Sequence, residues 1–117
     1  MRVPILRQAK YLIASIQSAL SDHELLQLRD DLMEQTGRYR ARGVVVDVTA
    51  LDVMDSFAAR TLRSIGHLLN LRGADTVIVG IQPDVAISMV QLGLTLEGVP
   101  TALDLEEGLA YLDAQMG

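Results

Sequence analysis

Hydrophobic and polar positions alternate with two different periods along this chain. The opening runs VPILRQ and YLIASIQ are apolar and β-favouring, and only Ala9 and Lys10 separate them, which predicts an antiparallel hairpin. The period then lengthens. Leu25, Leu28, Leu32 and Tyr39 recur at helical spacing behind SDHE, Ser21 to Glu24, where the serine oxygen can satisfy a free helix N–H and the glutamate can reach back. Gly37 and Gly43 bracket the expected end of this helix. GVVVDV, 43–48, is too continuously β-branched for a strand with one wet face, so it predicts a central strand covered on both sides.

Farther on, Ala58, Leu62, Ile65 and Leu69 are spaced by four, three and four, while Arg60, Arg63, Ser64 and His67 fall elsewhere around the same helix. That helix is expected to lie on the sheet. TVIVGI, 76–81, reads as a second buried strand. In QPDVAISMVQLG, Pro83 sits where a helix's first turn needs no N–H, and Gly93 sits where a left-handed cap belongs. PTAL, 100–103, reads as a brief last strand, and DLEEGLAYLDAQM opens with Asp104 and Glu107 as a second capping pair. The expected order is β-β-α-β-α-β-α-β-α. Strands joined through helices return by right-handed crossovers, so the fold class is α/β, with a mixed, mostly parallel sheet and an antiparallel N-terminal strand. Residues 1–117 have the length of one domain, and no repeat or linker divides them.

Composition narrows the classes of function. Half the residues are apolar, yet Phe57, Tyr11, Tyr39 and Tyr111 are the whole aromatic set, so Leu, Val, Ile, Ala and Met must build the core. The formal charge of −5 leaves no basic footprint for nucleic acid and disfavours anionic membranes. With no cysteine there is no disulfide, thiolate nucleophile or zinc knuckle, which is compatible with a reducing cytosol. Arg7, Gln8 and Lys10 interrupt the first apolar stretch before a signal core or membrane span can form. A cytoplasmic location is expected.

One corner concentrates the available chemistry: LDVMDSFAAR, Leu51 to Arg60, lies between a strand and a helix, where α/β sheets gather their sites. As a nucleophile Ser56 needs a base. His67 lies eleven residues along the same helix, about 16 Å away at about 1.5 Å per residue, and nothing in the sequence brings His23 near. The G-x-S-x-G elbow, Gly-rich phosphate loops, H-E-x-x-H and EF-hand spacings are all missing, so neither an enzyme nor a cofactor is expected. Asp47, Asp52 and Asp55 have the hardness for Mg²⁺, but each has a simpler place: Asp47 capping a loop, Asp52 and Asp55 at turn and N-cap positions. Ser56 by composition alone is a first-turn residue, with Asp55 or Ser56 as N-cap. Met54 and Phe57 read as core residues, or, if they face water beside the serine, as an apolar rim suited to a protein partner.

The order of elements, VVVDVTALDVMDS leading to a helix-capping serine, and the later GIQPDVAISMVQLGLTLEGVPTALDLEEGLAYL together resemble the STAS domain family, the anti-sigma factor antagonists. Within it the chain is most similar to RsbS-like members, the small scaffolds of the bacterial stressosome, over essentially its whole length. The resemblance implies that Ser56 accepts phosphate from an RsbT-like serine kinase, with Asp52, Met54, Asp55 and Phe57 as partner contacts around it. It also implies RsbR-like STAS paralogues as co-assembling partners, self-association in a large assembly, and a phosphoserine phosphatase that resets the site. No catalysis is implied. Thr49 and Thr61 match no phosphorylatable position clearly. The other roles that the family allows are direct antagonism of an anti-sigma kinase and service as a cytoplasmic STAS subunit of a transporter.

Overall fold

Side chains alternate across a strand, so a buried strand must find cover on two faces. The computed structural model, which describes residues 2–116, meets that demand with one five-stranded sheet and four helices. Strands β1 (Ile5–Gln8) and β2 (Tyr11–Ser15) form the hairpin. Helix α1 (Asp22–Tyr39), β3 (Gly43–Asp47), α2 (Ser56–Leu71), β4 (Asp75–Val79), α3 (Pro83–Gln91), β5 (Thr101–Ala102) and α4 (Leu105–Met116) follow in the expected order. The strands lie side by side in chain order, β1 antiparallel to β2 and the remaining pairs parallel.

Leu12, Ala14, Val44, Val46 and Ile78 face one core, which α1, α2 and α3 complete with Leu28, Leu32, Leu62, Ile65, Val85 and Met89. Ile13, Val45, Val77 and Val79 face the other, closed by Leu112 of α4. The unbroken valines of β3 are thus explained: each is 1 % exposed or less, and neighbours in sequence serve opposite faces. α4 lies close against β4 because its own residue 108 is glycine; a Cβ there would stand 2.5 Å from Cγ1 of Val79.

Some expected boundaries shift. β3 and β4 end earlier than 48 and 81, and β4 begins a residue sooner, at Asp75. Gly80, at φ 82°, turns the chain out of the sheet, and a Cβ there would collide with the Thr49 side chain. β5 keeps only Thr101 and Ala102, paired with Ile78 and Val79 at the end of β4. Tyr39 is not on the buried stripe of α1; Thr36 is, and Tyr39 is 41 % exposed. The last turn of α1 reaches past the core, so the tyrosine ring packs under the guanidinium of Arg7 on edge strand β1, 4.3 Å from its centroid.

Candidate functional site

Leaving β3, the chain crosses from the carboxyl end of the sheet to the start of α2, and three sets of contacts hold this crossing. Oδ1 of Asp47 accepts the Thr49 N–H at 2.9 Å and its hydroxyl at 2.6 Å, the loop-capping role expected of that carboxylate. Val48 N–H donates to the Val79 carbonyl at 3.0 Å, and Gln82 Nε2 donates to the Thr49 carbonyl at 2.7 Å, tying this crossing to the one after β4. Leu51 and Met54 then anchor the middle of the loop in the core, at 6 % and 5 % exposure.

The anchoring decides which side chains face out. Met54 is a core residue in this chain and not part of a rim; Val53, 58 % exposed, is the apolar side chain that the loop presents instead. With Leu51 and Met54 both turned inward, the two residues between them, Asp52 and Val53, meet solvent. Phe57 is half-buried at the mouth of a groove between α1 and α2. Sequence reasoning passed over Val53, and nothing local in LDVM separates it from the two apolar residues that the loop buries.

Asp55 is the N-cap of α2, its Oδ1 accepting the Ala58 N–H at 2.8 Å. Ser56 therefore becomes the first helical residue, where capping does not need its hydroxyl. It is exposed, and among the described residues that hydroxyl has no hydrogen-bond partner. The first turn of α2 also lacks an acidic side chain, so its positive dipole end is answered by the Asp55 cap alone.

Neither histidine serves Ser56. His67, exposed on α2, turns its Nε2 to the Glu97 carbonyl at 3.1 Å, where only an N–H can donate, and thereby holds the loop after α3. His23 lies in the first turn of α1 and makes no hydrogen bond to Ser56. Thr61 is buried at 7 % exposure, whereas Thr49 is exposed with its hydroxyl engaged on Asp47. Two groups with clearly shifted protonation, Tyr11 and Asp31, lie away from this corner. Tyr11, at the opposite end of the sheet, is pushed up to about 12 by burial and by its hydrogen bond to Asp113. Asp31 on α1 is held below the usual carboxylate range by hydrogen bonds from Arg2.

A free serine at the first position of a helix, on a loop pinned beyond a mostly parallel sheet, sits in a recognisable family frame. The STAS domain family model matches residues 2–108, and the chain belongs to that family. Over 99 % of its length it superposes on 98 % of a serine-to-glutamate variant of RsbS from Moorella thermoacetica, with 36 % identity and a TM-score of 0.84. A chain in the architecture of the stressosome, described as a signal integration and transduction hub, is also 36 % identical, with a TM-score of 0.79 over 97 % of this chain and 98 % of that one. The RsbT co-antagonist protein RsbRA of Bacillus subtilis (strain 168) is 28 % identical over 83 residues, which are 71 % of this chain and 30 % of the relative. The chain thus spans about a third of the length of such RsbR proteins. It is a STAS-domain protein similar to RsbS and to RsbR proteins. No helix among the described residues is long and apolar enough to cross a membrane.

Proposed function

We propose that this protein is a non-catalytic scaffold of a cytoplasmic stress-signalling complex, which holds an RsbT-like serine kinase and releases it when Ser56 is phosphorylated. Around it would stand RsbR-like paralogues and further copies of itself, and a phosphoserine phosphatase would restore the hydroxyl. The observation that carries this reading is the exposed, unpartnered hydroxyl of Ser56, left over because Asp55 does the capping. The likeness to RsbS over nearly the whole chain supports the choice of partners.

Physics allows the phosphate to act on the interface and spare the fold. It adds a charge of about −1.5 to −2 and three acceptor oxygens. The helix N-terminus favours it by about 0.3–1 kcal/mol, and Asp52 and Asp55 oppose it, so the monomer is little disturbed. Burying the same dianion against a partner without matching cations is harsher. A cost of about 2–4 kcal/mol weakens binding about 30- to 1000-fold. The direct test is to incubate the protein with its co-purifying kinase and ATP and to locate phosphate by mass spectrometry. Ser56 is the expected site; phosphate found only elsewhere overturns the assignment.

A further inference from the structure

The outer side of α2 carries a second pattern that starts at Ser56. Ser56, Arg60, Arg63 and His67 recur at spacings of four, three and four, so they share one stripe of the helix. In a chain of formal charge −5, the 16 residues of α2 contain no acidic side chain. The stripe borders the groove between α1 and α2, where Arg29 adds a third guanidinium and Leu26, Phe57 and Leu71 supply apolar wall. Leu71 is 84 % exposed there.

The cations differ in how they are engaged. Arg2 is paired with Asp31, Arg38 with Glu34 and Arg29 with Asp30, while Arg40, Arg42 and Arg72, none of which lines the groove, have no ion pair among the described residues. Arg63 donates only one long hydrogen bond, 3.4 Å to the Thr95 carbonyl. Arg60, exposed and one turn from Ser56, has neither an ion pair nor a hydrogen bond from its side chain among the described residues. A guanidinium left unmatched in an acidic protein, beside exposed apolar side chains, fits an anionic partner that also has apolar surface.

We propose that the groove between α1 and α2 docks an acidic, amphipathic helix of a partner protein, with partner carboxylates on Arg60 and Arg63 and partner apolar side chains on Phe57, Leu26 and Leu71. The apolar wall of Leu26, Phe57 and Leu71 favours such an amphipathic helix over a polyanion such as nucleic acid. The regulatory half of the proposal rests on Ser56 as the phosphate acceptor. An anion four residues before a cation on a helix is the favourable order, so phosphoserine 56 draws Arg60 to itself. Its charge then stands at the groove mouth and expels the acidic helix.

The test uses the full chain, isotopically labelled for NMR, and three probes: a synthetic Glu/Leu amphipathic helix, its Lys-for-Glu counterpart and a single-stranded oligonucleotide. The acidic helix is expected to shift amide signals along α2 and at Leu71, and to bind about tenfold more weakly to the Arg60→Gln/Arg63→Gln protein, whose melting temperature is retained. Equal binding of the lysine helix, tighter binding of the oligonucleotide, or no loss in the double variant overturns the docking surface. Phosphoserine is then installed at position 56 by synthesis, independently of any kinase. It is expected to reduce acidic-helix affinity about tenfold or more, and its phosphate is expected to become less acidic by ³¹P titration when Arg60 is Gln. Unchanged affinity or an unchanged titration overturns the regulatory half. A kinase that fails to modify Ser56 would count against the proposed function without altering either readout.

Discussion

Two helices of this protein begin beside a serine, and the two serines are used in opposite ways. At α1, Ser21 is itself the N-cap: its hydroxyl accepts the Glu24 N–H at 3.1 Å, and the Glu24 carboxylate accepts the Ser21 N–H at 2.9 Å. At α2 the cap is the preceding aspartate, and Ser56 is left one position inside with nothing to hold. The difference is one residue of offset. It separates a hydroxyl consumed by folding from a hydroxyl available to a partner, although both look alike as serines in front of an apolar periodic run.

The strongest way to break this comparison is to place charge at each serine in turn. Aspartate is as good an N-cap as serine, so Ser21→Asp should leave both stability and partner binding near wild type. A phosphate at Ser56 should weaken kinase binding about 30- to 1000-fold while the melting temperature hardly moves, and Ser56→Asp should weaken it in the same direction. Calorimetric titration beside thermal melts of the same samples checks both. Kinase affinity that stays at the wild-type level with phosphate at Ser56 removes the distinction between the two corners.

A second comparison removes the hydroxyls. Ser21→Ala loses a cap and should cost about 1 kcal/mol, and Asp55→Ala should cost a similar amount for the same reason at the other helix. Ser56→Ala deletes a group without a partner and should stay within about 0.5 kcal/mol of wild type while retaining the kinase. Urea unfolding of the three variants orders them, and a Ser56→Ala loss as large as that of Ser21→Ala shows that the hydroxyl is structural after all.

The smallest effect concerns acid. Asp31 on α1 has its protonation midpoint lowered by the Arg2 hydrogen bonds, so its contribution is fully present above the unfolded carboxylate value of about 3.9 and is lost as pH falls through the lowered folded value. Thermal melts at descending pH should therefore show wild type and Arg2→Ala converging in strongly acidic solution. Arg2 is largely exposed, which keeps the difference small and salt-sensitive.

Local rules carried far in this chain. The period-two and helical repeats, the SDHE box, the Pro83 start and the Gly93 end specify elements within a few residues of where they lie, because each depends on interactions inside one helix or strand. The acidic corner with its serine was equally legible, as was the loop-capping part of Asp47. Only the tertiary structure decided which corner residues meet solvent. Met54 goes inward and Val53 outward because the loop is pinned at Leu51 and to Gln82, a residue that follows the next strand. It likewise turned Tyr39 to solvent, set His67 against the loop after α3, and brought Arg29 of α1 to the same groove as Arg60 of α2. Those facts depend on contacts between segments distant along the chain. A periodicity argument sees only one element at a time, so such contacts arise when helices pack on the sheet and not before.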